Sequence, residues 1–220
     1  MLAKGMINMK YKGIIFDLDG TLLDTLTDLF NAVNYTLKAL NEPLRSLEEV
    51  RAFVGNGVPT LLMRSLTDQT KHAQALKIFT PYYNQHKDDH TKAYDQILTL
   101  LQSLNQNGYQ LGIVSNKIHE ATTQLNQKIF MGLIQNVIGA KEEIALKPQA
   151  DMLLNCLEMM NLKPEEVIYL GDTEVDWQTA SNANIDFVAV TWGFRDQEYL
   201  ETLNPKYIIN QPLDLLKILT

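Results

Sequence analysis

Cysteine is nearly absent. Cys156 is the single one in 220 residues, which excludes an intrachain disulfide and a thiolate metal cluster. It falls in the apolar helical pattern of Met152, Leu153, Met159 and Met160, so core packing is expected for it. The four histidines, His72, His86, His90 and His119, are scattered without ligand spacing. No apolar run approaches the roughly 20 residues of a membrane span. Met1 to Lys10 is too polar for the apolar stretch of a signal peptide, so a cytoplasmic protein is expected. Positive charge is in deficit: 19 Lys and Arg stand against 26 Asp and Glu, a net charge of -7. Such a surface suits neither nucleic acid nor an anionic membrane. An anionic substrate would need a locally positive pocket. Internal repeats and low-complexity segments are also missing.

The chain does have the means to build a core. Hydrophobic residues make up 45% and charged residues 20%, the balance of a folded globular chain. Met1 to Met9 reads as a loose leader, and Lys12 to Asp17 as a first strand. Leu26, Leu29, Phe30, Val33, Leu37 and Leu40 then recur at helical spacing. Ser46 followed by Glu49 has the spacing of a capping box. Gly55-Asn56-Gly57 interrupts, and helix resumes over 58–66 and again from Thr70 to about His90. From about Lys92 the pattern alternates. Strands are predicted at 110–114, 134–138, 167–170, 185–190 and 207–209, with helices between them and a closing helix at 212–219. Alternating strands and helices predict an α/β fold, a doubly wound parallel sheet covered on both faces. We therefore expect a Rossmann-like core from residues 1–24 and 92–220, with a helical cap of residues 25–91 inserted into it.

Charged and small polar residues fall where the predicted strands end. The apolar run Gly13 to Phe16 stops at Asp17-Leu18-Asp19-Gly20-Thr21, with two carboxylates two residues apart. Open α/β sheets place ligands at the carboxyl ends of their strands. Two close carboxylates repel, and a divalent cation relieves that repulsion. The strand 110–114 stops at Ser115-Asn116-Lys117, where a hydroxyl and the next N–H can meet a phosphate oxygen. Lys147-Pro148 follows the short strand 134–138. The strand 167–170 stops at Gly171-Asp172-Thr173, with Asp176 four residues after Asp172. Asp176 also suits the N-cap of the helix that follows.

These four stretches, in this order, resemble the four motifs of the haloacid dehalogenase-like hydrolases, most of which are phosphatases. The resemblance covers essentially the whole chain. It implies that Asp17 is the nucleophile and Asp19 the acid and base. It implies that Ser115 and Lys147 hold the phosphoryl group. Mg²⁺ would be held by Asp17, the backbone carbonyl of Asp19 and Asp172, with Asp176 reaching it through water or orienting other groups. Thr21 joins the phosphate-binding set. A hard cation with few carboxylates and a phosphate suits Mg²⁺ over Ca²⁺.

Reaction type follows from the core motifs, and substrate choice from the cap. The loop Val54-Gly55-Asn56-Gly57 can bring backbone N–H groups close to a small anion; a simple helix-breaking turn is its other reading. With the helix behind it, Ser115-Asn116-Lys117 and Thr191-Trp192-Gly193-Phe194, it resembles bacterial phosphoglycolate phosphatases. On that resemblance Gly55, Asn56, Gly57, Asn116 and Lys117 contact the substrate, a small phosphate monoester such as 2-phosphoglycolate. Lys117 would meet its carboxylate or seat the cap, and Arg51 and Arg64 are weaker candidates. A sugar phosphomutase, a pyrophosphatase or a nucleotidase of the same superfamily is the alternative. A non-catalytic binding protein on this fold is the alternative of another class.

Overall fold

The computed structural model describes residues 10–219; the leader read at 1–9 and Thr220 lie outside them. Six parallel strands form the main sheet in the order β5-β4-β1-β6-β7-β8. They are β1 (Gly13–Phe16), β4 (Gln110–Ile118), β5 (Asn136–Ala140), β6 (Val167–Gly171), β7 (Asp186–Val190) and β8 (Tyr207–Ile209). Successive side chains of a strand point to opposite faces, and each face has its own core. Ile14, Phe16, Ile113, Ile168, Leu170, Val188 and Val190 pack on one side. Ile15, Val114, Val167, Tyr169, Phe187 and Ala189 pack on the other, against α7 (Asp151–Met160). Such two-sided burial is why these strands read as near-continuous apolar runs. Cys156 is fully buried in the second core, and burial pushes its thiol up to about 12.

The remaining core helices are α5 (Ile97–Gln106), α6 (His119–Phe130), α8 (Glu174–Asn182), α9 (Gln197–Thr202) and α10 (Leu215–Leu219). The last begins with a 3₁₀ turn at Pro212–Asp214. No described helix is long and apolar enough to cross a membrane.

Between β1 and β4 the chain leaves and re-enters through a short antiparallel ribbon, β2 (Leu23–Asp24) paired with β3 (Lys92–Ala93). Beyond the ribbon lie four helices: α1 (Leu26–Ala39), α2 (Leu47–Phe53), α3 (Gly57–Ser65) and α4 (His72–His86). They enclose a third core, with Leu29, Val33, Leu37, Val50, Leu62 and Phe79. The predicted capping box is formed: Glu49 N–H donates to Ser46 Oγ at 3.2 Å, and Ser46 N–H donates to Glu49 Oε2 at 2.8 Å.

Asp186, at the start of β7, ties down the sheet margin. It accepts from Tyr11 Oη at 2.6 Å, Lys206 Nζ at 2.5 Å and Lys10 Nζ at 3.0 Å. Burial alone would raise its carboxyl; these donors outweigh burial and bring it down to about 2. The folded value lies below the unfolded one, so the stabilisation is complete above about pH 4 and is lost as pH falls towards 2. Asp186→Asn should therefore lower stability at pH 6 and cost much less at pH 2. Urea unfolding at the two pH values measures the difference, and an equal loss at both would remove the assignment.

Candidate active site

Three adjacent strands deliver the site. Asp17 follows β1, Ser115 lies near the end of β4, and Asp172 follows β6. The chain runs from β1 to one side of the sheet and returns to the other, the topological switch point where α/β folds bind ligands. Gly20 makes the first turn possible. Its φ is +88°, and a Cβ there would stand 2.3 Å from Asp172 Oδ2. Only glycine meets both demands.

Asp17, Asp172 and Asp176 are buried, with carboxylate oxygens lying within 4.8 Å of one another. Burial pushes Asp17 up to about 7; Lys147 opposes the shift, and Asp176 and Asp19 add to it. Asp172 is also raised, by burial and by repulsion from Asp176 and Asp17. Lys147 Nζ stands 2.8 Å from Asp17 Oδ1 and 2.7 Å from Asp176 Oδ1. The contact to Asp17 is an ion pair without hydrogen-bond geometry, so this buried oxygen has no hydrogen bond directed at it. Asp172 accepts one bond per oxygen, from Thr21 Oγ1 at 2.9 Å and Phe194 N–H at 2.8 Å. Asp17 and Asp172 thus keep free lone pairs in a crowded anionic corner. That donor set fits a hard divalent cation, which would bring both carboxyls down.

Asp176 is different. Lys147 and Tyr169 Oη donate to Oδ1, and Thr173 N–H and Oγ1 donate to Oδ2. Burial would raise its carboxyl, but Lys147 and these hydroxyls outweigh burial and lower it. With both oxygens occupied twice, it holds Lys147 in place. Nor is it the N-cap: Thr173 is, and Asp176 sits three residues on, completing a capping box at the start of α8.

Lys147 is fixed at both ends. Asn116 Oδ1 accepts from its N–H at 2.9 Å, and Asn116 Nδ2 donates to its carbonyl at 3.0 Å. Burial would lower the Lys147 ammonium, but Asp17 and Asp176 outweigh burial and raise it, so it stays charged. Asn116, expected at the substrate, thus has a side chain committed to the lysine loop. Ser115, Asn116 and Lys117 lie inside β4 instead of after it. Val114 pairs with Ile138 and Ile118 with Ala140, so four steps on β4 oppose two on β5. The bulge turns this segment out of the ladder.

Lys117 is buried and donates to Asp19 Oδ1 at 2.9 Å, Asp19 Oδ2 at 3.1 Å and Tyr83 Oη of α4 at 2.6 Å. It joins Asp19 of the core to the helical insertion. Thr21 stands behind Asp172, fully buried, rather than among the residues lining the cavity. Gly55 and Gly57 do line the cavity above Asp17; Asn56 does not. Arg51 donates to Gly193 O at 2.8 Å and Arg64 to Phe53 O at 3.0 Å.

Sequence reasoning passed over Tyr169 and Arg195. Tyr169, a polar tip in a central apolar strand, was the one with a readable signal. Tyr83 and Arg195 act through contacts distant in sequence. Arg195, held by Glu174 at 2.8 and 3.0 Å, donates to Val54 O at 2.9 Å and Arg51 O at 3.3 Å. Phe194 meanwhile packs into the core of the insertion.

Known proteins share this sequence pattern and fold. A phosphoglycolate phosphatase of Pseudomonas savastanoi pv. phaseolicola is 31% identical over 94% of this chain and 78% of its own. The pyrophosphatase PpaX of Bacillus mycoides is 28% identical over 96% and 98%. The structure of a haloacid dehalogenase-like family hydrolase from Streptococcus pneumoniae superposes with a TM-score of 0.89 at 29% identity, covering 96% of this chain and 99% of that one. Residues 14–190 match the family profile described as haloacid dehalogenase-like hydrolase, a stretch from β1 to the end of β7 that takes in the three strands delivering the site. The chain belongs to the haloacid dehalogenase-like hydrolases, on the phosphatase side of that family.

Proposed function

We propose that this phosphatase hydrolyses a small phosphate monoester with Mg²⁺, through an aspartyl phosphate on Asp17. The observation that carries the reading is Asp17 beside Lys147, with Asp172 and Asp19 at neighbouring strand ends. Asp17 and Asp172, with the carbonyl of Asp19, would hold the cation. When bound, it neutralises the carboxylates and polarises a phosphate oxygen.

Asp17 attacks phosphorus, and the bond to the leaving oxygen breaks in line. Asp19 gives that oxygen its proton, then takes one from the water that hydrolyses the acyl phosphate. Its ion pair with Lys117 supports the carboxylate form that the second step needs. Ser115 and Lys147 receive charge on the equatorial oxygens. Residues 25–91 act as the cap that covers the site and excludes water.

2-Phosphoglycolate is the ester to test first. The resemblance points to it, and Gly57 and Val58, in the first turn of α3, stand on the cavity wall. Pyrophosphate, acted on by the Bacillus relative, is the second reading; its extra charge would need further cations. Phosphate release from 2-phosphoglycolate, pyrophosphate, nucleoside monophosphates and hexose phosphates should need Mg²⁺ and stop with EDTA. EDTA-insensitive release would overturn the metal assignment. Stoichiometric release argues against a mutase, and no release from any substrate would favour a binding protein.

A further inference from the structure

The cavity over Asp17, Asp19, Ser115 and Lys147 measures about 290 Å³ and runs on between the core and α3 and α4. That is near the lower end of pockets that hold drug-sized ligands, and it includes the space that a phosphoryl group and its cation would take. Much of its wall is apolar: Val58, Leu61, Leu76 and Phe79 from the insertion, Ile118 and Leu146 from the core. Ile118 is 50% exposed and Leu146 39% exposed, the only large apolar side chains among the described lining residues with this much surface open. Ile118 ends β4, and Leu146 immediately precedes Lys147. The cations among the described lining residues are Lys117 and Lys147, and carboxylates already engage both. The arginines nearby do not line it. Arg51 pairs with Asp196 at 3.5 Å, and Arg195 pairs with Glu174.

We infer that the pocket beyond the phosphate selects an apolar alcohol, so that the preferred substrate is a phosphate monoester of an aryl-substituted or branched alkyl alcohol rather than of glycolate. This rests on the monoester-phosphatase reading and narrows its substrate. A second carboxylate would have to leave water for a wall without an unpaired cation, whereas an apolar group gains by the same transfer. Tyr83, Thr80 and Asn84 are the polar lining residues contributed by α4 and would set the orientation of a single hydroxyl or ring substituent.

The test is a series of primary alkyl esters, so that the leaving oxygen stays chemically similar. Ethyl, butyl and benzyl phosphate are compared with 2-phosphoglycolate and glycerol 3-phosphate, all with Mg²⁺. We expect kcat/KM to rise by about fourfold per buried methylene, with benzyl phosphate above 2-phosphoglycolate by at least about tenfold. Ile118→Asn and Leu146→Asn, at partly exposed positions where folding is little affected, should each lower the benzyl-to-glycolate ratio. A flat alkyl series, or 2-phosphoglycolate preferred over benzyl phosphate, overturns the inference and leaves the phosphatase standing. No release from any ester overturns both.

Discussion

Asp17→Asn should abolish turnover, by on the order of 10⁴ to 10⁶ in kcat, and leave the protein folded. The asparagine keeps the shape at the end of β1 and loses the nucleophilic oxygen. It also removes one of three carboxylates whose oxygens lie within 4.8 Å. At that separation two charges repel by roughly 3–4 kcal/mol at an effective dielectric of about 20. The variant without metal should thus be no less stable than the wild type. The wild type, in turn, should gain from Mg²⁺, about 2.7 kcal/mol at a concentration 100-fold above its Kd. Asp17→Asn should lose most of that gain. Phosphate release and thermal unfolding with and without Mg²⁺ measure both. Turnover within tenfold of wild type would remove Asp17 as nucleophile, and an unchanged Mg²⁺ shift would remove it as a ligand.

Asp17 was readable because three signals coincide there: an apolar run, an abrupt stop, and two carboxylates before a glycine. The strand ends at Ser115 and Asp172 carry the same kind of mark. The helical stripe over 26–40 was readable too, since Leu29, Val33 and Leu37 all turn inward. What escaped has physical reasons. β2 and β3 are two residues each, too short for any period to show. α9 buries little beyond Leu200, so it has no stripe. Ser115 to Lys117 reads as a turn because it is polar; only pairing with β5 makes it a bulged strand. Thr21 looked free for substrate because nothing local betrays a hydrogen bond to a residue 151 positions away. The tie of Arg195 to the end of α2 is of the same sort. Side-chain pairing across the fold is the layer that a single sequence does not display.

Lys147→Met should cost both stability and activity, in a way that separates the two roles of the lysine. It stands between Asp17 and Asp176 with its side chain 2% exposed. Removing it strands two buried carboxylates, and breaking such a pair costs about 3–5 kcal/mol. The sign with pH is fixed by both partners. Lys147 is raised in the fold, so its contribution is full below about pH 10 and is lost as pH climbs through the folded value. Asp176 is lowered, so its contribution is full above about pH 4 and is lost on acidification. With Asp17 at about 7, the destabilisation should therefore be greatest from about pH 7 to 10 and shrink in acid, where the stranded carboxyls protonate. Activity should fall by about 10² to 10³, as when a preorganised positive group leaves a transition state. Asp176→Asn provides the contrast. If Asp176 positions Lys147, this variant should lose stability and kcat while its Mg²⁺ affinity stays within a few-fold; Asp172→Asn should lose Mg²⁺ binding itself. The double variant Lys147→Met/Asp176→Asn should be less impaired in stability than the sum of its parts, by about 0.5–3 kcal/mol, because each single change breaks the same pair. Strict additivity would mean that the two side chains act separately. A large loss of Mg²⁺ affinity in Asp176→Asn would return that carboxylate to the metal.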